Sequence, residues 1–140
     1  MPRRVLALSF LLSLCVLLLH SFALKHYLYW HFWWYDLLIH FFAGTALSLV
    51  AFFVLQDRNM NYSQVAFQTL LCVLICSIGW ELFEAYYHIA LIASANYFVD
   101  TVSDIGMGML GGIMGVLFCL RYSRKNPQEL QRRVTDKKDI

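Results

Sequence analysis

The sequence predicts an all-α membrane protein, a bundle of four transmembrane helices with both termini in the cytoplasm. Three observations point there. Hydrophobic residues make up 60% of the chain and charged ones 14%, against roughly half and a quarter in a soluble domain. The apolar excess gathers in four runs, at 5–24, 37–55, 65–91 and 98–120. Each has about the 18 or more residues that cross ~30 Å of hydrocarbon as a helix. Finally, Lys and Arg are distributed unevenly between the loops, as they are in multi-pass proteins.

Backbone groups in lipid must bond within their own segment. The runs are too long for strands and lack two-residue alternation. The predicted helices therefore lie at about 5–24, 36–55, 64–91 and 98–120, forming one domain over residues 1–120. The first run follows Arg3 and Arg4 and ends near Ser21-Phe22-Ala23, which also fits a signal peptide. Its core of about 20 residues is longer than a usual signal core, so it is read as a retained span. The loop after it, KHYLYWHFWWYD, clusters Tyr27, Tyr29, Trp30, Trp33, Trp34 and Tyr35, an aromatic belt suited to a membrane–water interface. In the next loop, QDRNMNYS, Ser63 is the expected N-cap of the third helix. A short loop near SANY makes the third and fourth helices antiparallel neighbours.

With both termini inside, ten of the 11 Lys and Arg residues are cytoplasmic and only Lys25 is outside. Seven of the ten lie in a basic cytoplasmic tail, 121–140. That tail either touches anionic lipid headgroups or is a solvated end. The basic residues flank spans rather than forming a domain, which excludes a nucleic-acid-binding reading. Cys15, Cys72, Cys76 and Cys119 all sit in apolar runs without CxxC spacing and are expected as free, core-filling thiols.

The apolar segments nevertheless contain charge. Asp36 and His40 open the second helix. Glu81, Glu84 and His88 close the third. Asp100 and Asp104 open the fourth. In the predicted topology all seven fall in the outer half of the bilayer. Asp36/His40 and Asp100/Asp104 are i,i+4 pairs, each sharing a face. Glu81, Glu84 and His88 fall within an arc of roughly 60°. Below Asp104 the face continues as Gly108, Gly111, Gly112 and Gly115, and Gly44 lies near the Asp36/His40 face. Small residues at this spacing let helices approach closely, so the polar faces should point into the bundle.

Five carboxylates in hydrocarbon require neutralisation by protons, by cations, or by water with Lys25 reaching in. Mixed Asp, Glu and His donors suit Zn²⁺, Mn²⁺ or Fe²⁺. The expected ligands of one or two divalent ions are Asp36, His40, Glu81, Glu84 and Asp104, with His88 and Asp100 at the rim. A carboxylate left off the metal, Glu81, is the candidate general base. Taken singly, Asp36 and Asp100 also fit simple helix caps, and His88 also fits an interfacial side chain.

The succession YDLLIHFFAG, WELFE and VDTVSDIGMGMLGG resembles the VanZ-like and YjdF-type small bacterial membrane proteins over about 35–118. The resemblance marks Asp36, His40, Gly44, Glu81, Glu84, Asp100 and Asp104 as motif positions. The VanZ pattern has Gln at the position of Glu84, and an Arg before its last Asp motif that this chain lacks. The resemblance implies a bacterial inner (plasma) membrane location and a link to glycopeptide tolerance in some members, without a defined reaction.

Three functions fit these features. The first is a metal-dependent hydrolase or transferase acting on a lipid-linked or envelope substrate. The second is a proton- or cation-coupled transporter, for which four short helices would need a homo-oligomer. The third is a structural or interaction subunit in which the polar groups join helices. The bilayer is the expected partner in all three.

Overall fold

The computed structural model describes residues 3–56, 60–87 and 97–125. The elements are α1 (Arg3–Lys25), α2 (Leu28–His31), α3 (Trp34–Leu55), α4 (Tyr62–Tyr87) and α5 (Tyr97–Lys125). No strand occurs among the described residues. The four long helices are each long and apolar enough to cross a membrane. The 22 residues of α3 extend about 33 Å at 1.5 Å per residue, which matches a bilayer core. The chain is thus an all-α bundle of four membrane-spanning helices, as the apolar runs predict.

The outer surface is apolar, with Phe10, Leu11, Leu18, Phe67 and Leu82 all more than 60% exposed. In water such a surface would aggregate; in a bilayer it is a lipid contact. The core lies toward the end where α1 begins and α3 finishes. There Val5, Leu49, Phe52, Leu55, Val65, Val116 and Cys119 pack together. The opposite end, where α3 and α5 begin and α4 finishes, is polar.

The most intimate pair is α3 with α5, and glycine makes it so. A Cβ on Gly44 would strike the Gly108 carbonyl, and one on Gly111 would strike the Phe41 carbonyl. At both positions the helices touch backbone to backbone, which only a residue lacking Cβ permits. Thr45 Oγ1 bridges the contact, donating to Phe41 O and Gly111 O at 2.9 and 3.1 Å. Helix α4 packs on both α3 and α5, while α1 leans on α3 and touches neither α4 nor α5 by backbone approach. Ser9 Oγ, buried in α1, donates to Ala46 O at 3.0 Å, fixing α1 on α3.

Four details differ from expectation. The N-cap of α4 is Asn61, not Ser63: Asn61 Oδ1 accepts from Gln64 N at 2.9 Å and Gln64 Oε1 accepts from Asn61 N at 3.0 Å. This is a reciprocal capping box, which leaves Ser63 an exposed helical residue. The last helix runs to Lys125 rather than 120, with Tyr122 packed against the core and Ser123 buried. The first loop contains the four-residue helix α2, entered through Tyr27 at φ 57°, a left-handed conformation uncommon for non-glycine residues. The aromatic belt also splits. Tyr27, Trp33 and Trp34 stay exposed, while Tyr35 is buried and donates to Leu19 O at 3.2 Å. His88 and the loop up to Asn96 lie outside the described residues.

Candidate metal centre in the polar end of the bundle

The site is assembled from three helices. Asp36 lies in the first turn of α3 and His40 one turn deeper. Glu81 and Glu84 lie near the end of α4, and Asp104 lies two turns into α5. Because α4 and α5 both pack on α3, these side chains meet. His40 Nε2 is 3.5 Å from Asp36 Oδ1 and 3.7 Å from Glu81 Oε1. Two triads of ligand atoms converge, Asp36–His40–Asp104 and His40–Glu81–Glu84, each with its atoms within 4.8 Å of one another. His40 belongs to both.

Burial is deep. His40, Glu81, Glu84 and Asp104 are all under 9% exposed, and Asp36 alone reaches the surface, with 25% of its side chain exposed. Buried carboxylates normally accept hydrogen bonds. Here Glu81 Oε1 and Asp104 Oδ1 have none. The Thr101 hydroxyl lies beside the Glu81 carboxyl without completing one. The two His40 contacts are longer than a good hydrogen bond. Among the described residues, no Lys or Arg forms an ion pair with these carboxylates, so Lys25, exposed at the end of α1, is not their counterion here. The group is oxygen-rich, carries one imidazole, and leaves acceptors unused.

Asp100 is half-buried one turn nearer the loop and belongs to neither triad. Two residues that the sequence does not place at the site, His20 and the belt residue Tyr29, complete the surroundings. His20 Nδ1 and Tyr29 Oη are 2.7 Å apart, and the Tyr29 ring packs on Tyr35, next to Asp36. Burial, and after it the charge of Asp36, raises the Tyr29 hydroxyl pKa well above its ordinary value. The signal that could have found them is a His in an otherwise apolar span beside an aromatic loop.

On its other side His40 borders a cavity of about 360 Å³. Its walls come from α1 within 13–20, α3 within 39–47 and α4 within 76–80. The His20 and Trp80 rings, 5.9 Å apart and edge to face, bridge α1 and α4 at its polar end.

These features define a multi-pass α-helical membrane protein with a buried acidic and histidine group at one end of its bundle. The chain belongs to a family described as a predicted membrane protein (DUF2238), whose model matches residues 3–125. No curated protein and no solved structure matches it.

Proposed function

We propose that the protein is a metal-dependent enzyme of the bacterial inner membrane, holding one or two divalent ions in the polar end of its bundle. The observation that carries this is the pair of buried oxygens without a hydrogen-bond partner, Glu81 Oε1 and Asp104 Oδ1, one in each of the two triads that share His40. Leaving such acceptors unmatched is costly, and a cation removes the cost. His40 already stands 3.5 Å from Asp36 and 3.7 Å from Glu81, close to the ~3.4 Å between neighbouring ligands of a tetrahedral Zn²⁺ ion. One imidazole among carboxylates suits Zn²⁺, Mn²⁺ or Fe²⁺. VanZ-like and YjdF-type proteins resemble the chain in the same motif positions.

The uneven spread of Lys and Arg supports a cytoplasmic N-terminus and C-terminus, which turns the site toward the cell exterior. That side and depth suit a lipid-linked or envelope substrate. The metal would supply Lewis acidity or an activated water. Glu81 is the candidate general base through the oxygen the ion leaves free, and Asp36, the acid that reaches the surface, is the route by which protons leave. On the inner side the backbone contact of Gly44 with Gly108 lies directly below His40 and favours an enzyme over a transport path.

Elemental analysis of the purified full chain tests the reading. Wild type should carry close to stoichiometric Zn, Mn or Fe, and the Glu81→Ala/Glu84→Ala double variant should not. Equal metal in the two proteins would overturn it.

A further inference from the structure

The cavity beside His40 opens sideways. Helices α1 and α4, which form two of its walls, do not approach each other by backbone. The His20 and Trp80 rings meet between them, edge to face, beside the cavity that both helices line. The rim residues Leu17, Cys76 and Trp80 are exposed on the same apolar surface that faces lipid. The floor is kept low by Ala43 and Gly44. Two of these features serve other purposes as well: Gly44 permits the α3–α5 contact, and His40 is the shared member of both acidic triads. The cleft is therefore continuous with the bilayer on one side and with the candidate metal centre on the other.

We propose that this cleft holds one hydrocarbon chain of a membrane lipid, which enters laterally between α1 and α4 and brings the lipid's polar end to His40. A volume of about 360 Å³ lies within the usual range of small-molecule sites. At this depth the medium at the opening is lipid chain rather than water. The walls offer no Lys or Arg, so nothing in the cleft itself recognises an anionic headgroup; a phosphate would be held only by a cation at the acidic group. The substrate class is thus a lipid whose reacting bond lies at the junction of chain and headgroup. The chain berth follows from the cleft alone, whereas the role of its occupant as substrate rests on the metal-enzyme reading.

The test uses the full chain in phosphatidylethanolamine–phosphatidylglycerol vesicles containing a trace of phosphatidylglycerol with a diazirine on one acyl chain. After illumination, labelled peptides are mapped by mass spectrometry. Label should concentrate within 39–47 and 76–80, above that on the outward residues Phe67 and Leu71. Ala43→Trp should cut the cleft label several-fold while leaving the outward label unchanged. Cys76→Phe, at the rim, gives the same result by a second route should Ala43→Trp fail to fold. Cleft labelling no denser than outward labelling, or unmoved by either filling variant that folds, overturns the proposal. Cleft labelling that persists in a protein devoid of metal supports the berth and counts only against the metal-enzyme reading; metal without cleft labelling does the reverse.

Discussion

His40 Nε2 on α3 lies 3.7 Å from Glu81 Oε1 on α4, and that oxygen has no hydrogen-bond partner although it is buried. A residue from each of two spans thus meets inside the bundle, with acceptor capacity left over. The metal reading, and the first prediction, begin from this pair.

Charge removal at this pair should have opposite effects with and without metal. In chelator, Glu81→Gln relieves an unmatched buried carboxylate and should stabilise the protein by about 1–3 kcal/mol. With a divalent ion at one hundred times its dissociation constant, wild type should gain about 2.7 kcal/mol and the variant much less. Thermal unfolding in detergent, with and without added Zn²⁺ or Mn²⁺, reads both. A variant that is destabilised in chelator and stabilised by metal as strongly as wild type would contradict the account.

The glycines divide by what a methyl group would meet. Gly44→Ala pushes Cβ into the Gly108 carbonyl, a backbone atom that cannot step aside. It should cost about 1–3 kcal/mol and separate α3 from α5. Gly79 and Gly106 have open space where a Cβ would go, so Gly79→Ala should stabilise its helix by about 0.5–1 kcal/mol. Unfolding midpoints of the two variants and wild type in one detergent give the comparison.

At the start of α4, Asn61→Ala removes one half of the capping box and should cost about 1 kcal/mol. Ser63→Ala should change stability by less than about 0.5 kcal/mol. Comparable losses from the two would contradict the assigned cap.

Tyr29 should mark the high-pH limit of the fold. Its hydroxyl pKa is raised in the folded chain, by burial first and then by Asp36, from an ordinary 10.0. Above pH 10 the unfolded chain releases this proton while the folded one keeps it, so unfolding is favoured as pH rises further. Below that pH both states are protonated and the effect vanishes. Tyr29→Phe should therefore flatten the loss of stability above pH 10 and leave its pH dependence near neutrality unaltered. An unchanged alkaline slope in the variant would contradict this.

Much of the fold was legible because long apolar runs leave the backbone one satisfactory conformation in lipid. The convergence of Asp36, His40, Glu81, Glu84 and Asp104 was legible from i,i+4 spacing and shared depth. Asp100 was expected at the rim, and it stays outside both triads. Ser63 is a common capping type, yet NYSQ carries the Asn-x-x-Gln box two residues earlier, and Asn61 is the cap. What could not be read were contacts made by residues far apart in sequence and unremarkable locally. His20 is a single imidazole in an apolar span, and Tyr29 is one ring among many. Their pairing depends on a turn through left-handed Tyr27 that no glycine announces. The cleft depends on α1 packing on α3 without reaching α4, which no helical periodicity specifies.

The central claim is that anionic side chains of three spans hold one or two cations around His40. Anomalous diffraction from crystals of the full chain, recorded at the absorption edge of the metal it carries, tests this most directly. The account predicts an anomalous peak bonded to His40 and to the carboxylates of at least one triad, Asp36 and Asp104 or Glu81 and Glu84, at about 2.0–2.2 Å. A peak located elsewhere, or a metal-soaked crystal with none among Asp36, His40, Glu81, Glu84 and Asp104, would contradict it.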